Sequence, residues 1–294
     1  MKKHTYHILL LAVILAGSCN NNKQQQPKSG HIKAGGFQVY YEREGKGDAI
    51  LLLHAGLQDH TMWAEQVKAL SQHFEVITAD LPYHGNTTGS DTTTLIADVV
   101  KTLLDSLHIQ KTSVAGLSMG ASSCLDFLLA YPGRVNKAIL IAGGVPGFEN
   151  PADTISMYWY PLFKKALENK DTVLAAKEFT RAWAEGIYRK GDSLKAPVSQ
   201  YIYKASLNTM RQHQVAGWPK FQVDPLAAKR IGDIKLPVLI IDGDKDLPSI
   251  TDNAVFMEKN IPGAKRVVMK DVAHMLNIEK PEELNKLMMD FLMK

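Results

Sequence analysis

Gly116-Leu117-Ser118-Met119-Gly120 is the stretch whose residue types and spacing most directly suggest chemistry. A β-like run, Thr112 to Ala115, precedes it, and a helix-like run, Ala121 to Ala130, follows. Between a strand and a helix, Gly-x-Ser-x-Gly forms a nucleophile elbow. The turn is tight enough to strain the serine backbone, and side chains two residues either side of it would collide. Glycine relieves both collisions. The serine hydroxyl then stands at a helix N-terminus, where the dipole favours developing negative charge. Five positions can match by chance in a Gly/Ser-rich loop, so the rest of the chain must supply the partners.

A serine hydroxyl needs a base, and the base needs an orienting group. After an elbow serine the expected order is serine, acid, histidine, each on a loop that follows a strand. The apolar run Val238 to Ile241 ends in Asp242-Gly243-Asp244-Lys245-Asp246. The final strand-like run, Arg266 to Met269, leads to Asp271-Val272-Ala273-His274. Of the ten histidines, His274 is singled out by this place and by the helix-start signal Glu279 to Glu283 behind it. Asp242 and Asp244 compete for the acid. Glycine three residues before Asp246 lets the loop swing off the strand end, and that offset selects Asp246. A tetrahedral intermediate needs two N–H donors. The amide of Met119 is one. The loop Leu53-His54-Ala55-Gly56-Leu57 offers Gly56 as the other, with His54 holding the loop. Asp80 and His84, in the turn after the next strand, give too few ligands for a metal site. This chemistry calls for no metal and no cofactor.

These residues need a scaffold of strands and helices. Gln38 to Arg43 alternates like an edge strand. Ala49 to Leu53, Phe74 to Ala79, Val135 to Ala142 and Val238 to Ile241 are apolar runs suited to strands buried on both faces. Thr92 to Leu107 places Leu95, Val99, Leu103 and Leu107 on one helical stripe, and Glu282 to Met293 closes the chain as an amphipathic helix. Such alternation predicts an α/β fold with a mostly parallel sheet. Residues 151–232 break the rhythm. They are helix-like and carry Tyr158, Trp159, Tyr160, Phe163, Phe179, Trp183, Tyr188, Tyr201, Tyr203 and Trp218. They read as a cap over the strand ends, with most aromatics forming its own core and a few facing substrate. The expected core is then 31–150 together with 233–294.

The first residues read as a leader. Lys2-Lys3 precedes the apolar run Ile8 to Ala16, which is too short to span a bilayer. Leu15-Ala16-Gly17-Ser18-Cys19 resembles a bacterial lipoprotein signal, cut after residue 18 and acylated on Cys19; a secretory signal with a coincidental cysteine is the alternative. Residues 19–30 are polar and of low complexity, as expected of a flexible tether. The expected location is the cell envelope, lipid-anchored, or else secreted and soluble. The second of the two cysteines, Cys124, lies among Leu125, Phe127 and Leu128 and reads as a small buried residue. A formal charge of +4 without a basic patch interleaved with aromatics gives nucleic-acid binding no support.

Taken together, His54-Ala55-Gly56, Asp80-Leu81-Pro82-Tyr83-His84-Gly85, the elbow, Gly243-Asp244-Lys245-Asp246 and Ala273-His274 before Pro281 resemble the α/β-hydrolase fold, in its enol-lactonase and esterase-like branch. The resemblance covers His31 to Lys294. It implies a Ser118–Asp246–His274 triad, an oxyanion hole from the Gly56 and Met119 amides, and a helical cap. Ala55 and Tyr83 stand where glycine is usual, and Tyr83 is expected to place a ring near the pocket. Serine as nucleophile argues against the dehalogenase and epoxide hydrolase members, which carry aspartate there. The expected activity is hydrolysis of a small carboxylic ester or lactone. Alternatives on the same triad are a proline-iminopeptidase-type peptidase, with Glu149 or Asp153 receiving the amine, a carbon–carbon bond hydrolase and a cofactor-free peroxidase. A surface-tethered binding module with an idle site is the remaining reading.

Overall fold

The computed structural model describes residues 28–149, 159–186, 196–213, 220 and 225–294. The expected signal 1–18 and the acylation site Cys19 lie outside these residues. The expected tether 19–30 needs correction at its end. Ser29–Ala34 forms β1, whose alternating residues pair antiparallel with β2, Phe37–Gly45.

The remaining strands are β3 (Ala49–Leu53), β4 (Glu75–Ala79), β5 (Thr88–Gly89), β6 (Thr112–Leu117), β7 (Val135–Ile141), β8 (Val238–Gly243) and β9 (Lys265–Met269). They form one sheet in the order β1-β2-β4-β3-β6-β7-β8-β9, with β5 beside β2. From β4 to β9 along this order every pair is parallel. The two-residue period of a strand divides the apolar runs between two cores. Leu51, Leu53, Leu140 and Ile240 face one layer, and Ile50, Leu52, Ile139 and Ile241 face the other.

Helices α2 (Ile96–Ser106) and α3 (Met119–Ala130) cover the first layer, and α1 (Ala64–Leu70) lies on the second. The second helix starts later than its periodicity predicts. The Asp91 carboxylate accepts the amides of Thr93 and Thr94, so these residues turn before the helix begins. Between β7 and β8 the described elements are helical: α4 (Tyr160–Glu168), α5 (Thr172–Thr180), a π-helical turn Arg181–Gly186, α6 (Ala196–Gln212) and α7 (Ala227–Arg230). Tyr158, Tyr188 and Trp218 lie outside the described residues. Ala227 and Ile231 bury in the same layer as α2 and α3, so the chain has rejoined the sheet before residue 233. The chain ends with α8 (Pro248–Asn260), α9 (Leu276–Glu279) and α10 (Pro281–Leu292).

β3 lies between β4 on one side and β6 on the other, so strand order reverses there. Ligands of open parallel sheets gather at the carboxyl ends beside such a reversal. Leu53, Leu117, Gly243 and Met269 end their strands on that side, immediately before the loops of interest.

Candidate active site

Ser118 joins β6 to α3 with φ 56 and ψ −113, a left-handed conformation that non-glycine residues seldom adopt. The turn that imposes it leaves no room on either side. A Cβ on Gly116 would lie 2.2 Å from the Gly120 carbonyl oxygen. One on Gly120 would lie 2.0 Å from that of Leu53, so the elbow is pressed directly onto the end of β3. The Ser118 amide donates to the Ile141 carbonyl at 2.8 Å, which ties the turn to β7 as well.

His274 is almost fully buried, and its Nδ1 donates to Asp246 Oδ2 at 2.8 Å. The other Asp246 oxygen accepts the Leu247 amide at 2.7 Å. Gly243 is what lets the two loops meet. A Cβ there would lie 2.4 Å from the Val272 carbonyl oxygen, and the Lys245 amide donates to that carbonyl at 2.9 Å. The competing acids are engaged elsewhere. Asp242 receives both Nε and Nη2 of Arg266, at 2.8 and 2.6 Å. Asp244 accepts the Asp271 amide at 2.7 Å and pairs with Lys245. His274 Nε2 has no hydrogen-bond partner among the described residues, so the Ser118 hydroxyl is not yet bonded to it. Such bonds are commonly longer before substrate binds.

Gly56 follows β3 in a loop held by two histidines. His54 Nδ1–H donates to the Ala55 carbonyl at 2.8 Å, and the Gln58 amide reaches the same oxygen at 3.2 Å. In a trans peptide the N–H points opposite its carbonyl, so fixing the Ala55 oxygen fixes the Gly56 N–H. His54 Nε2 accepts the Leu81 amide at 2.9 Å, while His84 Nε2 accepts the Leu57 amide at 3.0 Å. Each loop therefore lends a histidine to the other's backbone. Both rings must be neutral to accept in this way. Burial lowers the His54 pKa and brings that of His84 down to about 3. Met119 is the first residue of α3, where amides lack acceptors within the helix.

Ser118, His274, Gly56 and Met119 line one cavity of about 260 Å3, together with Ala55, Trp159, Phe163 and Trp183. Phe179, Leu167, Met275 and a half-exposed Tyr160 complete its described wall. Five of the aromatics expected in the cap thus reach the cavity. Tyr201 instead meets the Thr61 hydroxyl at 2.9 Å, on the α6 side of the loop that follows Gly56. Tyr83 does not line the cavity. Its ring meets Phe37 edge-on at 5.2 Å, and its hydroxyl donates to the Asp91 carbonyl. Cys124 is buried, which raises its thiol pKa and leaves it an apolar packing group.

His60 escaped the sequence reading. Its amide and Nδ1 both donate to Asp80 Oδ1, at 2.7 and 2.8 Å. Burial disfavours charge on either group, but their pairing outweighs it. The Asp80 carboxyl lies below its usual pKa and the His60 imidazole above. Asp59, His60 and Asp80 place potential ligand atoms within 4.8 Å of one another. Protein donors already occupy Asp80, whose second oxygen accepts the Asn86 amide, and Asp59, which accepts from Thr61. A pair of this kind explains a buried carboxylate without a metal.

The sequence profile of the alpha/beta hydrolase fold matches residues 48–281. The carboxylesterase YbfK of Bacillus subtilis (strain 168) is 24% identical over 264 residues, which cover 83% of this chain and 80% of that one. A 2-hydroxy-6-oxo-6-phenylhexa-2,4-dienoate hydrolase of Comamonas testosteroni is 25% identical over 280 residues, 87% of this chain and 91% of the other. The enol-lactonase from Burkholderia xenovorans LB400 superposes with a TM-score of 0.71 at 22% identity, over 90% of this chain and all of its own. With its sheet, its strand-end loops and its relatives in agreement, the chain is an enzyme that belongs to the alpha/beta hydrolase fold family.

Proposed function

We propose that the protein hydrolyses a small, uncharged carboxylic ester or lactone through an acyl-enzyme on Ser118. The cavity carries this reading. Its wall holds Ser118, Gly56, Met119 and a His274 that pairs with Asp246 through Nδ1, leaving Nε2 without a partner among the described residues. Among its described lining residues His274 is the sole ionisable side chain apart from the Tyr160 phenol. Its volume is below the roughly 300–1,000 Å3 of common ligand sites, which favours a small substrate.

The steps follow from these positions. Ser118 Oγ bonds to the carbonyl carbon as His274 Nε2 takes the hydroxyl proton. The Gly56 and Met119 N–H groups hold the oxyanion. The carbon–oxygen bond to the alcohol breaks, and the alcohol departs with the proton from His274. Water then gives a proton to His274 and attacks the acyl carbon, and Ser118 leaves as the hydroxyl. Asp246 keeps the imidazole in the tautomer whose Nε2 accepts.

The rival substrates carry charge. A dienoate presents a carboxylate and an aminopeptidase substrate an ammonium group, yet no described side chain in the wall offers a counter-charge. Glu149 is exposed and outside the lining, and Asp153 lies outside the described residues. Ser118→Ala should abolish turnover of short p-nitrophenyl esters. Unchanged turnover in that variant would overturn the proposal.

We further propose that Cys19 carries a lipid anchor to the cell envelope. The support is the Lys2-Lys3 start, the short apolar run and the small residues before Cys19.

A further inference from the structure

Trp183 is the cap residue whose ring meets the imidazole of His274. The centroids are 4.4 Å apart with planes at 49°. The indole lies in the π-helical turn Arg181–Gly186, between the buried Ala182 and Ala184. Wide turns of this kind re-aim side chains and recur at functional sites. Its other neighbours hold it in place. Trp159 meets it edge-on at 5.3 Å, and Trp159 is itself pinned by donating Nε1–H to the Glu178 carbonyl at 2.9 Å. Trp159 also stacks on Phe163 at 4.7 Å, in the same wall.

Resting on the ester reading above, we infer that Trp183 forms the subsite for the departing alcohol and selects alcohols with a flat apolar group. The argument is positional. In acyl transfer the alcohol oxygen must receive its proton from His274 Nε2. The alcohol therefore lies against the imidazole, while the carbonyl oxygen turns toward Gly56 and Met119. The surface beside the imidazole is the Trp183 indole, and both rings line the cavity. An aryl or benzyl alcohol can stack there, whereas a methyl group leaves the indole uncovered. The acyl group is left with the Phe163 side of the wall.

Acylation and deacylation separate the two parts of the substrate, because the alcohol has left before water attacks. The test compares wild type, Trp183→Leu and Trp183→Phe on two ester series. In one the acid is fixed, as methyl and benzyl butyrate. In the other the alcohol is fixed, as p-nitrophenyl acetate and butyrate. Wild type is expected to favour benzyl over methyl butyrate in kcat/KM. An aromatic contact of this size corresponds to a preference of about two- to tenfold, which Trp183→Leu should lose and Trp183→Phe largely keep. The acetate-to-butyrate ratio and the deacylation rate measured after the p-nitrophenol burst should stay as in wild type. An unchanged benzyl preference in Trp183→Leu overturns the inference. So does an equal fall in both ratios and in deacylation, which marks a purely structural role. Absence of any Ser118-dependent ester turnover in wild type instead overturns the ester reading, and this inference with it.

Discussion

At the level of single residues, the site depends on which groups are committed and which are left available. Asp242 sits on the same strand end as Asp246 but spends both oxygens on Arg266, whereas Asp246 keeps one for His274. The offset from Gly243 is the sequence signal for Asp246. Gly243 brings the acid loop against the Val272 backbone, two residues ahead of His274. Asp246→Asn preserves the shape and can still accept the Leu247 amide, but its amide NH2 cannot hold the Nδ1–H tautomer. Its kcat should fall by about 10³- to 10⁴-fold with KM and melting temperature little changed, as steady-state kinetics and thermal melts would show. A loss of less than tenfold would remove Asp246 from the mechanism. The contact between Trp183 and His274 was not legible in the sequence. It joins two segments far apart in the chain, and its direction depends on a π-helical turn that no periodicity marks.

At the level of elements, strands buried on both faces were easy to read. Ala49–Leu53 is a continuous apolar run with turn signals at both ends, and it forms β3 over that range. β1 was missed because Ser29 to Ala34 is an edge strand with exposed alternate positions and few apolar residues, which looks like tether. The helix expected from Thr92 loses its first turn to the Asp91 carboxylate. The clasp between the Gly56 loop and the turn after β4 is likewise tertiary. His54 and His84 are each 27 residues from the amide they hold, and nothing local pairs them. The clasp has a pH consequence. Burial depresses the His84 pKa to about 3 in the folded protein, below the roughly 6.5 of an unfolded chain. Between these values the unfolded state binds more protons. The stabilisation is therefore present above about pH 6.5 and is lost as pH falls toward 3. His54 contributes with the same sign, and His60, whose pKa is raised, with the opposite one. His84→Asn removes the His84 part. Its melting temperature should fall less steeply than that of wild type between pH 7 and 4. Parallel curves would contradict this role for His84.

At the scale of the whole molecule, β1 and β2 form the antiparallel edge of the sheet, and the cavity lies at the carboxyl ends of its parallel strands. Ser29 pairs with Glu42, which in turn lies opposite Thr78 of β4. Residues 20–28 span at most about 30 Å when fully extended. A protein acylated on Cys19, as proposed above, would thus be held within that distance of its membrane. Among the described residues no helix is long and apolar enough to cross a membrane. Cys19→Ala should move the protein from the membrane fraction to the soluble fraction and abolish incorporation of labelled palmitate, with ester turnover in extracts retained. Membrane recovery and labelling that survive the substitution would exclude Cys19 as the anchor.

The claim on which the rest depends is a covalent acyl group on Ser118. Acid quenching during turnover of p-nitrophenyl butyrate, followed by intact-mass and peptide analysis, tests it directly. The account predicts one butyryl group on the peptide that contains Ser118, absent from Ser118→Ala and lost from wild type once substrate is exhausted. Turnover without an adduct while deacylation limits the rate, or an adduct that persists in Ser118→Ala, would contradict it.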